Sequence, residues 1–360
     1  MTTEDKYTRL ASWLRQNGAV INSNLIISGK GTDRSLRTLT ELAPMTDMAT
    51  IPRKCTINGP PPGGPAYTLL KELGNPDSFF KPYLDTLPTL ADLASHPLYQ
   101  FSSSDLPEME RICPEGAAKW KLINNGITAF VQNFINDPFI PASVRTEEML
   151  RYASIIVLTR SWKDIGMVPF IDMMQHVARN ETVSNLVVTD DNISVKCLGA
   201  KPGDELTIVY RTGSVADLYI SYGIPVLSMN YVAAPLELPK LTDEYKEVLT
   251  SNGFGQLPLT ILLTEADLIV NSIRQARILT CTPEQLKDKP DGKKTISLEN
   301  DRAALAFLYR VAKEVGVNFK PPGPVHVRFA ELAKVQQRSA DIIKDTIEVI
   351  EKIWLSYIRV

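Results

Sequence analysis

Met167-Val-Pro-Phe-Ile-Asp-Met-Met-Gln-His176 and Pro202-Gly-Asp-Glu-Leu-Thr-Ile-Val-Tyr210 are the stretches that decide the fold, with Tyr222-Gly223 twelve residues after Tyr210. Pro202-Gly-Asp reads as a turn, and Leu206-Thr-Ile-Val-Tyr210 alternates as a strand leading out of it. Tyr210 closes an apolar run, where a tyrosine commonly packs its ring and satisfies its hydroxyl locally. Tyr222-Gly223 has the form of a strand-to-turn pair. Met173 and Met174 supply adaptable apolar surface or plain core. Asp172 is structural, holding its segment by hydrogen bonds, and His176 taken alone is more often structural than functional.

Working outward, Thr146-Glu-Glu starts a helix. Thr146 caps it, and two acids lie near the positive end of the dipole. Its apolar face runs Met149, Leu150, Ala153, Ile156 and Val157, and the same stripe continues to Arg160. A buried arginine needs a partner. Two partners are open: a structural ion pair to Asp172, or an anion or cofactor. Tyr7, Leu10, Ala11 and Leu14 predict a first helix stopped by Gly18. Leu25–Ile27 and Met48–Ile51 read as strands. Asn58–Pro65 reads as a loop, and most of 66–135 reads as helices broken by prolines. After Pro235 the character is helical. Ser297 starts one helix, and Phe329, Leu332, Ala340, Ile343, Ile347, Ile350 and Trp354 form the stripe of the last.

The bulk numbers bound the function. At 360 residues, 44% apolar and 22% charged, the chain is an ordinary globular protein with room for two or three domains. A net charge of -2 gives no reason to expect nucleic acid or an anionic membrane surface as partner. No apolar run approaches the ~20 residues of a membrane span, and the charged opening Met-Thr-Thr-Glu-Asp-Lys is not a secretory signal. Cys55, Cys113, Cys197 and Cys281 are far apart, without CxxC, and the three histidines show no metal-binding spacing. No metal is expected, and a reducing compartment, cytoplasmic or nuclear, fits best.

Taken together, these segments resemble the SET proteins typified by the RuBisCO large-subunit methyltransferase. Tyr7–Ala19 is similar to that family's opening helix. Leu39–Pro44 and Ala49–Pro52 are similar to its first strands. Pro82–Pro88 and Ser95–Leu98 resemble its helical insert, and Ala153–Trp162 the helix that carries the family arginine. The resemblance implies an α+β protein. A β-rich SET-like domain over 1–232, with a helical insert at 66–150, precedes an all-α domain over 233–360 similar to the family's substrate-binding domain. It also implies a cofactor, S-adenosylmethionine, and roles for particular residues. Tyr210 takes the place of the catalytic tyrosine, and Tyr222 lines the acceptor channel. His176 meets the adenine through its backbone, and Arg160 lies at the carboxylate end of the cofactor.

Four departures cluster at that implied pocket. The family's Gly-x-Gly slot falls on Asp33-Arg34-Ser35, with Gly29-Lys-Gly31 a few residues earlier. Two added side chains matter where a ligand packs on backbone, although an aspartate there can meet an ammonium group. The family's Asn-His becomes Gln175-His176, a methylene longer. Tyr-Gly becomes Tyr210-Arg211, and Ser-Asn-Ala becomes Ser214-Val215-Ala216. Three functions therefore stay open. One is methyl transfer to a protein lysine or histidine. Another is a SET scaffold that no longer methylates and orients an apolar small molecule, for instance in a cyclisation. The third is a non-catalytic peptide-binding module.

Overall fold

Side-chain caps start the helices that follow Thr146, Thr282 and Ser297. The computed structural model describes residues 3–30, 33–177, 182–210, 213–224, 232–235, 242–254, 260–263, 272–317 and 319–358. The chain divides into two units. The first comprises Met1–Ser104, Lys119–Thr212 and Ile220–Gly223, and the second comprises Asp105–Ala118, Gly213–Tyr219 and Ile224–Val360.

Two four-stranded sheets build the first unit. One has the order β1 (Val20–Ile21), β4 (Asp47–Pro52), β9 (Asn192–Cys197), β8 (Ser184–Val188), all antiparallel. The other runs β2 (Leu25–Lys30), β3 (Asp33–Thr38), β10 (Glu205–Ile208), β7 (Gln175–His176). Within it, β2 and β3 form an antiparallel hairpin, and β10 pairs antiparallel with β3 and parallel with β7. A short ladder joins β5 (Ser161–Trp162) to β6 (Gly166–Met167). Strand β10 is shorter than the alternation predicts. It stops at Ile208, and Leu206, Thr207 and Ile208 are all buried, so the strand has no solvent face. Tyr210 stands just beyond its end.

The helices that frame the site form for local reasons. The helix Thr3–Gln16 buries Tyr7, Leu10, Trp13 and Leu14, and Gly18, at φ +93°, follows its end. The helix Glu147–Arg160 begins where Thr146 Oγ1 accepts from the Met149 N–H, as the sequence predicts. It ends with Arg160 in its last turn, where the dipole favours a cation. The insert supplies short helices at Lys81–Leu84 and Pro97–Gln100, each with proline in its first turn. The predicted loop at 58–65 gives way to a helix at Gly64.

The second unit is helical, with the helices Leu298–Gly316 and Ala330–Ile358 as its longest elements. Ser297 caps the former through the Asn300 N–H. Leu332, Ala340, Ile343 and Ile350 are buried along the stripe of the latter, Ile347 is half-buried, Phe329 is buried in the turn just before it, and the Trp354 side chain lies outside the described residues. The helical reading after Pro235 misses one ladder, where β11 (Val232–Pro235) pairs antiparallel with β12 (Thr260–Leu263).

Candidate functional site

Three rings meet at the end of β10. Tyr210 lies with its centroid 5.1 Å from His176 and 5.0 Å from Tyr222. Its hydroxyl donates to the Met174 carbonyl at 2.5 Å, and its backbone N–H donates to His176 Nδ1 at 3.0 Å. That bond fixes the imidazole with Nδ1 as acceptor. Parallel pairing of β7 with β10 sets Ile208 opposite His176, which brings the two rings together. Burial pushes the Tyr210 phenol well above its usual value; Arg160 opposes this, and Asp172 and Tyr222 reinforce it. The phenol is therefore neutral at pH 7.

Tyr222 is held from behind. Gly223 has φ +74°, and a Cβ there would lie 2.8 Å from His96 Cδ2. Only glycine combines that conformation with so close an approach. His96 is buried and accepts from the Leu98 N–H through Nδ1, and burial lowers its pKa to about 4.

A second cluster centres on Asp172. This residue lies in a one-turn helix, Ile171–Met173, entered from Phe170 at φ +74°, a strained conformation for a bulky side chain. One carboxylate oxygen, Oδ2, collects three groups. Tyr83 Oη donates to it at 2.9 Å, Arg160 Nη1 at 3.2 Å, and Arg34 Nη2 stands 3.9 Å away. Arg160 Nη1 also donates to the Asp172 backbone carbonyl. Arg34 is 1% exposed, yet among the described residues its Nε, Nη1 and Nη2 have no hydrogen-bond partner. The same holds for Arg160 Nε, Asp172 Oδ1 and the buried Tyr7 hydroxyl.

The slot at 33–35 thus forms β3, in register with Lys30, Gly29 and Ser28 of β2. Its backbone is engaged from across the sheet. The β3–β10 ladder ends at Leu36–Leu206, and the Arg34 carbonyl accepts instead from Gln175 Nε2. The Ser35 hydroxyl faces that of Ser28 at 3.5 Å.

Solved structures of one kind share this architecture. Rubisco LSMT bound to AdoMet aligns with a TM-score of 0.59 at 18% identity, covering 98% of this chain and 93% of that one. The SET domain of LSMT bound to lysine and AdoHcy aligns with a TM-score of 0.58 at 17% identity, covering 99% and 93%. This chain has a SET fold. Rubisco LSMT bound to sinefungin and monomethyllysine aligns similarly, with a TM-score of 0.57 at 18% identity, over 99% and 93%. No family model and no curated protein matches the sequence.

On the SET fold the residues expected from sequence fall into two groups. Tyr210, Tyr222 and His176 come together. Arg34 and Arg160 meet at Asp172, so the ion pair expected for Arg160 is present and leaves its Nε unpartnered. Gln175 and Ser35 engage other parts of the protein. The Asp33 side chain, Gly31 and Arg211 lie outside the described residues. Sequence reasoning missed Tyr83 as a polar member of the Asp172 cluster. The signal for Tyr83 was a tyrosine in a proline-broken insert otherwise rich in apolar residues, but nothing local names its partner.

Proposed function

We propose that this protein is an S-adenosylmethionine-dependent N-methyltransferase acting on a lysine or histidine side chain of a protein. The observation that carries this is the Tyr210 arrangement on a SET fold: a neutral phenol in tilted contact with the rings of His176 and Tyr222, its proton committed to a backbone carbonyl. Support comes from similar structures, which contain AdoMet, AdoHcy or sinefungin, and lysine or monomethyllysine.

The residues present fit such a cofactor. Its carboxylate suits the partnerless guanidinium nitrogens of Arg34 and Arg160, and its adenine suits the main chain at His176. When bound, S-adenosylmethionine supplies an electrophilic methyl group. The chain supplies alignment. Tyr210 is no base, because burial keeps its proton on. Its oxygen donates to Met174 and keeps lone pairs with which to accept from an amine N–H, orienting that nitrogen. Tyr222, the last residue of the helix Val215–Tyr222, packs against the Tyr210 ring, and His96 against Gly223 fixes the residue that follows it.

The test is transfer of isotope-labelled methyl groups from S-adenosylmethionine to protein, with the labelled residue identified by mass spectrometry. Label on lysine or histidine that depends on Tyr210 is expected. No label on any protein, with no binding of the cofactor, would overturn the proposal. A second function, a SET scaffold that orients a small molecule without methylating it, draws support from Gln175, whose amide is spent on the Arg34 carbonyl. The guanidinium groups around Asp172 favour a ligand with an anionic group over a purely apolar one.

A further inference from the structure

The resemblance leads one to expect only close-packed main chain at residues 33–35. The chain instead carries a guanidinium there, turned into the protein and almost wholly removed from water. Burying an arginine is costly, and burying one whose nitrogens have no acceptor is costlier still. The nearest carboxylate does not resolve this. Asp172 Oδ2 already accepts from Tyr83 and Arg160, and Arg34 Nη2 stands 3.9 Å from it, beyond hydrogen-bonding distance.

The charges do not close either. Asp172 faces two guanidinium groups, Arg34 and Arg160, so the buried cluster holds one cation in excess. Lys6 acts on Arg34 from the first helix and is itself set against Asp85 and Asp92. The strain registers on Arg34, whose pKa is lowered to about 10, first by burial and then by Arg160, with Asp172 opposing. Among the described residues, donors without acceptors sit on these two guanidinium groups: three nitrogens of Arg34 and Nε of Arg160.

We propose that Arg34, with the Nε of Arg160, is a receptor for a carboxylate group. A guanidinium fork takes a carboxylate through two parallel hydrogen bonds. One negative charge there balances the surplus cation and supplies acceptors for donors that have none. The carboxylate comes from one of two sources, the amino-acid end of S-adenosylmethionine or a small organic acid. In the first case the inference rests on the methyltransferase function proposed above; in the second it does not.

The experiment is calorimetry and thermal unfolding of the full chain with three probes. They are S-adenosylmethionine, decarboxylated S-adenosylmethionine, and sodium acetate against sodium chloride at equal ionic strength. The wild type is compared with Arg34→Met and Arg34→Lys. If the cofactor supplies the group, S-adenosylmethionine binds at least about tenfold tighter than its decarboxylated form. That gap closes in Arg34→Met and is partly kept in Arg34→Lys. If a free acid supplies it, acetate raises the unfolding temperature saturably over chloride in the wild type only, whether or not either nucleoside binds. That outcome with no nucleoside binding sinks the methyltransferase function and keeps the receptor. The inference is overturned if Arg34→Met responds to every probe as the wild type does, if the wild type responds to none, or if Arg34→Met unfolds far below the wild type in the absence of probes, as loss of a purely structural ion pair would require.

Discussion

Two buried arginine–aspartate pairs in this molecule use the same groups and end in opposite states. In the helical unit, Arg277 grips Asp301 through Nε at 2.6 Å and Nη2 at 3.2 Å. Its Nη1 donates to the Gly292 carbonyl, and Thr295 donates to the same aspartate. Every nitrogen of Arg277 finds an acceptor within its own chain. Around Asp172, two guanidinium groups share one oxygen, and among the described residues Arg34 finds no hydrogen-bond partner for its side chain. A pair that serves only the fold is closed by its neighbours. One left with partnerless donors on a SET fold, where a carboxylate-bearing cofactor is proposed, has the marks of a ligand site.

The sharpest break between the two is mutational. Arg277→Met strands Asp301 as a buried, half-satisfied carboxylate and should cost roughly 3–5 kcal/mol, read by urea unfolding. A loss below 1 kcal/mol would show that the pair is not structural.

Next in size is a pH effect in the unit that carries the tyrosines. Burial lowers the His96 pKa from 6.5 to about 4, so the folded state holds this ring neutral while the unfolded chain binds a proton. Its stabilising share is full above pH 6.5 and is lost as pH falls from 6.5 towards 4, by roughly 3 kcal/mol. His96→Gln should flatten that part of the stability profile. An unchanged profile would mean that His96 does not titrate as its burial dictates.

A smaller effect attends Tyr210→Phe, which leaves the Met174 carbonyl without its donor and should cost about 1 kcal/mol of stability. Under the proposed function it lowers turnover by about 100-fold while cofactor affinity holds. Unchanged turnover would make Tyr210 a core residue. The smallest stability effect is expected for Arg34→Met. Removing a cation that has no hydrogen-bonded partner should leave the unfolding midpoint within about 1 kcal/mol of the wild type, or raise it. Measured beside Arg277→Met, a loss of equal size would erase the contrast between the two pairs.

Much of this was legible because it is local. Thr146, the two acids after it and the stripe down to Arg160 specify one helix and predict a buried arginine in need of a partner. Ser297 and the stripe from Phe329 to Ile350 do the same for the helices of the second unit. What escaped is what periodicity cannot carry. A 3.6-residue period says which face is buried, but not that Tyr83 reaches Asp172 across 89 residues. Strand β10 stops at Ile208 because its pairing with β7 ends there, which the apolar run through Tyr210 does not announce. Arg34 stood out in the sequence only as a disturbance of a glycine slot. The direction of its side chain, set by the β2–β3 hairpin, turns the disturbance into a charge inside the protein.

The most direct measurement is titration calorimetry of the full chain with S-adenosylmethionine and S-adenosylhomocysteine. Micromolar binding of both is the predicted result, since the Tyr210 site and the Asp172 cluster together offer what each molecule needs. Absence of binding by either would contradict the account, and methyl transfer by this SET fold would have to be given up.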